Sequence, residues 1–216
     1  MDTQDSSINR LYKKANLLAL ITIYYNLFEG VISVFFGFQD KTLSLFGFGV
    51  DSFVEVISGI GVWHMIHRFR QSTDENLDRF EQRALKVTGT AFYLLTVGLT
   101  VTALYNIYSG HHPETTFWGI VISLISIGSM WALIHFKVKV GTALNSQAIL
   151  ADAGCTRVCL ILSGVLLAAS LIYELTGFGW VDSLGSISMA WLSFREGREA
   201  FEKASGIGGC GCCCDK

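Results

Sequence analysis

The sequence predicts an all-α integral membrane protein of six transmembrane helices, with both termini cytoplasmic and no C-terminal soluble domain. Three observations carry that expectation. The 216 residues are 51% hydrophobic and only 16% charged, with a mean hydropathy of +0.45, against roughly 25% charged for an ordinary soluble domain. There is a single proline, Pro113, beside 22 glycines, which suits long helices in close contact and does not suit a β-barrel of ~10-residue alternating segments. Finally, basic residues alternate sharply between successive connections, as the positive-inside rule requires of a multi-span protein.

The elements follow in order. Residues 1–15 form a polar lead-in with Arg10, Lys13 and Lys14 and without the pattern of a cleaved signal peptide. A span needs about 20 mainly apolar residues, and six segments meet this near 16–37, 43–66, 86–109, 116–136, 145–175 and 180–197. The second connection carries Arg68, Arg70, Arg79, Arg83 and Lys86, the fourth Lys137 and Lys139, and the tail Arg195, Arg198, Lys203 and Lys216, whereas the other three connections hold only Lys41. Both ends are therefore expected inside, which makes the number of spans even. Residues 16–204 form the transmembrane domain and 205–216 a flexible Cys-rich cytoplasmic tail, too short to bury a core. The net charge of -2 offers nothing to nucleic acid. An enzyme is not expected, because no connection is long enough for a catalytic domain and no nucleophile–base pair stands out.

Ionisable groups at membrane depth are costly and mark pathways or sites. Asp51 and Glu55, in "GVDSFVEVISG", are four apart and share one helix face. In hydrocarbon they repel each other unless a cation or a proton lies between them, so the pair is a half-site for a divalent metal, a proton carrier, or part of a structural hydrogen-bond network. Cys155 and Cys159 repeat the spacing in the fifth span, "NSQAILADAGCTRVCLIL", and Asp152 falls on the same stripe while Arg157 points elsewhere. The two cysteines are either small hydrophobes or ligands; a facing helix with two carboxylates favours ligands. Glu29, in "YYNLFEGVISVFFG", is a secondary metal or proton group, or the ion-pair partner that a buried Arg157 would need. Glu174 and Asp182 fall near the outer interface, within reach of water, and are discounted.

The motifs "LSLFGFGVDSFVEVISG", "AILADAGCTRVC" and "GFGWVDSLGSISMAWL", in that order and spacing over residues 15–204, resemble the membrane domain of the cation diffusion facilitator family. The resemblance implies a homodimeric exporter of a divalent metal, usually zinc, working by metal/proton antiport and alternating access. It implies a tetrahedral mid-membrane site of two residues from the second helix and two from the fifth, which carries over to Asp51, Glu55, Cys155 and Cys159. The family's usual fifth-helix pair is a histidine followed four residues later by an aspartate; here both positions are cysteine. Thiolates make the site softer, toward Zn2+, Cd2+ or other thiophilic ions and away from manganese or magnesium, and they must lose protons to bind. The metal is substrate; no prosthetic group is expected. The small cytoplasmic module of many members has no counterpart here, so a dimer would rest on helix contacts. The alternative is a nontransporting membrane metal sensor or accessory protein.

Candidate secondary metal or proton positions are Asp152 with Glu29, His64 and His67 at the cytoplasmic end of the second helix, and Cys210, Cys212, Cys213 and Cys214 in "GCGCCCDK"; the alternative for the two histidines is that they are interfacial side chains beside a solvated charge run. The cytosol keeps such thiols reduced and available to soft metals. His111, His112 and Glu114 in an outward loop carry less weight, and "CDK" after Cys213 fails the prenylation pattern. If the source is bacterial, the expected location is the cell's inner or plasma membrane.

Overall fold

The computed structural model describes residues 2–69, 76–110, 116–144 and 146–205. Those residues form six helices: α1 (Asp2–Gln39), α2 (Leu43–Phe69), α3 (Asn76–Ser109), α4 (Phe117–Leu144), α5 (Gln147–Thr176) and α6 (Trp180–Ala204). The six expected spans fall on them one for one. Helix α1 begins at Asp2, so the lead-in is helical and continuous with the first span. Helix α4 runs to Leu144, well past the expected end at 136, and this corrects the fourth connection: Lys137 and Lys139 belong to a helix.

Segments of the first five helices are long and apolar enough to cross a bilayer, the fifth over Asp152–Thr176. Helix α6 is not among them. Its sequence mixes small polar residues with a charged end, and Asp182, Ser183, Ser186 and Ser193 are buried. The radial distribution of polarity is that of a protein solvated by lipid. Leu17, Phe28, Phe35, Leu94, Val97, Val101, Trp131 and Trp191 are exposed, while Thr22, Asn26, Ser33, Ser52, Ser126, Thr156 and Ser163 are buried. Water would reward the opposite arrangement, whereas in a bilayer polar side chains do best between helices. The chain is a multi-pass integral membrane protein.

The helices associate as an α1–α2 pair, an α4–α5 pair and an α3–α6 pair, with α2 also meeting α5, α6 and α3. Glycine sets the tightest approach. A Cβ on Gly37 of α1 would lie 2.5 Å from the backbone nitrogen of Phe46 in α2, and one on Gly49 would lie 2.7 Å from that of Val34. Backbone cannot yield as a side chain can, so Gly37→Ala is expected to cost about 1–3 kcal/mol through forced separation of α1 and α2. A lowered midpoint of thermal unfolding in detergent would show it; an unchanged midpoint would refute the close contact. Helix α5 ends on Gly177, whose φ of 68° gives the left-handed cap and whose N–H donates to the Tyr173 carbonyl.

The main apolar core gathers Leu45 and Phe48 of α2, Leu95 and Leu99 of α3, Ile122 of α4, Val158, Leu162 and Leu166 of α5 and Met189 of α6. Asp51 and Glu55 lie along α2, and Asp152, Cys155 and Cys159 along α5.

Candidate metal centre

Helical periodicity does the first part of the construction. Asp51 and Glu55 lie one turn apart on α2, and Asp152, Thr156 and Cys159 follow one another on α5 at spacings of four and three. The antiparallel packing of α2 on α5 then matches rung to rung. Cys159 Sγ donates to Asp51 Oδ2 at 3.2 Å, Thr156 Oγ1 donates to Glu55 Oε1 at 2.8 Å, and Ser58 Oγ donates to Cys155 Sγ at 3.7 Å. Asp51, Glu55 and Cys159 are buried and Cys155 is half-buried, both cysteines being free thiols. The four residues that the sequence singled out thus lie on facing turns of α2 and α5, with Asp51 and Cys159 in direct contact.

Their donor atoms are engaged in pairs. Among the described residues, no three His, Cys, Asp or Glu side chains are gathered closely enough to hold an ion as they stand. The pairs do not exhaust the carboxylates, however. Asp51 Oδ1, Glu55 Oε2 and Asp152 Oδ1 are buried without a hydrogen-bond partner, and unmatched anionic oxygens in an apolar setting are expensive.

Asp152, a candidate secondary metal or proton group, is engaged by a cation of the chain itself. Its Oδ2 lies 2.9 Å from Lys137 Nζ, and Lys137 also donates to Thr156 Oγ1 at 2.8 Å. Lys137 is 1% exposed, the reverse of the solvated cytoplasmic lysine that hydropathy had made of it. The signal was present in the sequence. Once α4 is extended past Phe136, Lys137 takes its place on the stripe Ser126, Met130, Leu133, Val140 and Gly141, all buried.

Glu29 and Arg157 do not pair. Glu29 accepts from Tyr25 Oη at 2.9 Å and from Ser52 Oγ at 3.1 Å, and it stands in the electrostatic field of Asp51 and Glu55. Arg157 is exposed on the far side of α5, so it has no buried charge to compensate. Arg157→Gln is accordingly expected to leave cation transport within about twofold of wild type, measured as flux per reconstituted molecule; a loss of tenfold or more would return Arg157 to the site.

Asp182 is also corrected, whereas Glu174 is exposed as expected. Asp182 is 2% exposed and accepts from the backbone N–H groups of Leu43 at 2.8 Å and Ser44 at 3.1 Å, and from the Ser44 hydroxyl. It caps the start of α2 from another helix. Glu174 accepts from the Thr116 N–H at 2.8 Å and from its hydroxyl at 3.0 Å, holding the start of α4. Both are structural ties. His64 is half-buried in the last turns of α2, away from the quartet. The side chain of His67, the loop residues His111, His112 and Glu114, and the cysteines at 210, 212, 213 and 214 lie outside the described residues.

Four buried carboxylates, Glu29, Asp51, Glu55 and Asp152, thus lie along α1, α2 and α5 with the thiols of Cys155 and Cys159, and the buried ammonium of Lys137 pairs with Asp152 within the field of Glu55. Such a cluster attracts cations and exchanges protons readily. A family model for the cation efflux transmembrane domain matches residues 17–207. An uncharacterized transporter of Methanocaldococcus jannaschii is 25% identical over 175 residues, which cover 79% of this chain and 62% of that protein. The chain thus spans less than two thirds of that relative's length. The model match extends from the first span to the end of the sixth helix, and on that breadth this chain belongs to the cation efflux family of membrane transport proteins.

Proposed function

We propose that this chain exports a divalent metal ion, zinc or a softer thiophilic ion, from the cytoplasm in exchange for protons, with Asp51, Glu55, Cys155 and Cys159 as its ligands and with both termini cytoplasmic. Family membership supports cation transport across a membrane. The observation that carries the finer reading is the 3.2 Å contact of Cys159 with Asp51 between α2 and α5, beside the unmatched oxygens of Asp51 and Glu55. Two carboxylates and two thiols make a soft, four-donor set that favours zinc and cadmium over manganese.

The chemistry of exchange follows from the thiols. In the proton-loaded state Cys159 spends its S–H on Asp51 and Cys155 receives the Ser58 hydroxyl. An arriving dication takes both sulfurs as thiolates, so two S–H bonds break, two metal–sulfur bonds form and two protons leave. Closing on the ion requires Cys155 to turn from Ser58 and Glu55 from Thr156, a rotamer change at each. Reprotonation of the thiols on the opposite side releases the metal, and relative movement of α2 and α5 switches access.

The test is flux in proteoliposomes for Zn2+, Cd2+ and Mn2+ at two pH gradients. Zn2+ and Cd2+ are expected to move, Mn2+ far more slowly, and the thiophilic fluxes to rise with the opposing proton gradient. Vesicles that bind these metals and move none would sink the exporter reading and leave a metal-binding membrane module. As in the family resemblance, the functional unit is expected to be a homodimer.

A further inference from the structure

Lys137 is the residue that neither family membership nor the four-donor site accounts for. Among the described residues it is the one buried basic side chain, 1% exposed, and it is held by an ion pair to Asp152 at 2.9 Å and a hydrogen bond to Thr156 at 2.8 Å. Thr156 Oγ1 in turn donates a hydrogen bond to Glu55 Oε1 at 2.8 Å. The ammonium therefore reaches a ligand of the quartet through one intervening hydroxyl, and it also stands in the electrostatic field of Glu55 and Cys155. Thr156 is one turn along α5 from Asp152 and folds back on its carbonyl at 3.1 Å. Lys137 and Asp152 consequently lie one turn beyond the quartet toward the α4–α5 turn.

From this placement we infer that Lys137 is the site's tethered counter-cation: it balances Asp152 and Glu55 in the metal-free protein, opposes any divalent ion that arrives, and so weakens metal binding enough for release. The argument rests on the proposed metal site. A carboxylate already engaged through Thr156 to a fixed positive charge is a poorer ligand than a free one, and a dication at the quartet is repelled by the ammonium in surroundings that screen little. Transport needs an ion that binds and then leaves. A competing charge fixed to α4, and not to the two ligand helices, supplies that opposition without removing a donor. Its strength is set by how near α4 stays to α5.

The test is a Cd2+ titration of the purified full-length protein in detergent at fixed pH, followed by the cadmium–thiolate absorption band. All variants carry serine at Cys210, Cys212, Cys213 and Cys214, so that the tail contributes no signal. Lys137→Gln is expected to bind Cd2+ about tenfold or more tightly, and Lys137→Arg to stay within about threefold of the parent. Because Lys137→Gln leaves Asp152 buried and unpaired, the charge-balanced double variant Lys137→Gln/Asp152→Asn is compared with Asp152→Asn, and the same tightening is expected on that background. Unchanged or weaker affinity in both comparisons would overturn the inference while leaving the metal site standing. A parent protein with no thiolate band, whose binding is indifferent to Cys155→Ala/Cys159→Ala, would remove the proposed site and the inference with it.

Discussion

Asp51→Asn is expected to cut thiophilic-metal flux by about 100-fold or more, because it takes a charged oxygen from a position where α2 and α5 already touch through proposed ligand atoms. The amide keeps a hydrogen-bonding partner for Cys159 and nearly the same volume, so helix packing survives. The loss therefore reports charge and ligation in place of folding. Cys155→Ala/Cys159→Ala is expected to match it and to shift what transport remains away from cadmium, since the remaining donors are hard oxygens. Flux of purified, reconstituted variants, normalised to folded protein, is the measurement. If Asp51→Asn carries Zn2+ and Cd2+ at wild-type rates, the quartet is not the transport site, whatever else it binds.

The second large effect concerns stability. Asp182→Ala leaves two backbone N–H groups, those of Leu43 and Ser44, and the Ser44 hydroxyl without their acceptor. All are buried, so the cost is that of unmatched donors and a lost cap together, about 3 kcal/mol or more. A midpoint of thermal unfolding lowered by several degrees in detergent is expected. Asp182→Asn, which retains one acceptor oxygen, should fall between the two. An alanine variant as stable as wild type would mean that water replaces the carboxylate there. The proposed ligands Asp51 and Glu55 lie on later turns of α2 and the other two on α5, so metal affinity of the folded fraction is expected to stay close to wild type.

How legible the site was depends on how local its determinants are. Asp51 with Glu55, and Cys155 with Cys159, are written in spacing, because a helix converts a separation of four into a shared face whatever surrounds it. That these two faces meet, and that rung matches rung, depends on close α1–α2 packing at Gly37 and Gly49 and on the shared core of Phe48, Val158 and Leu162, which no single helix encodes. Lys137 was missed for a specific reason. Hydropathy ends a span at its first lysine and gives that lysine to water, so it cannot see a helix that continues with the lysine turned inward. Asp182 was misjudged in a related way, by equating a position near the interface with access to water. The supposed partnership of Glu29 and Arg157 came from assuming that every charge within a span is buried; Arg157 shows that one face of α5 remains exposed.

The tie from Asp182 to the start of α2 also bears on the order in which the protein can be made. Its partners are 139 and 138 residues apart in the chain, so α2 leaves the ribosome and enters the bilayer long before its cap has been synthesised. Until α6 arrives, the first turn of α2 must hold its N–H groups against headgroups or water, since hydrocarbon gives them no acceptor. The second helix, which carries two of the four proposed ligands, is thus inserted early and finished last. A nascent chain stopped before α6 would carry both carboxylates and both helical thiols yet remain open to proteolysis at residues 40–44.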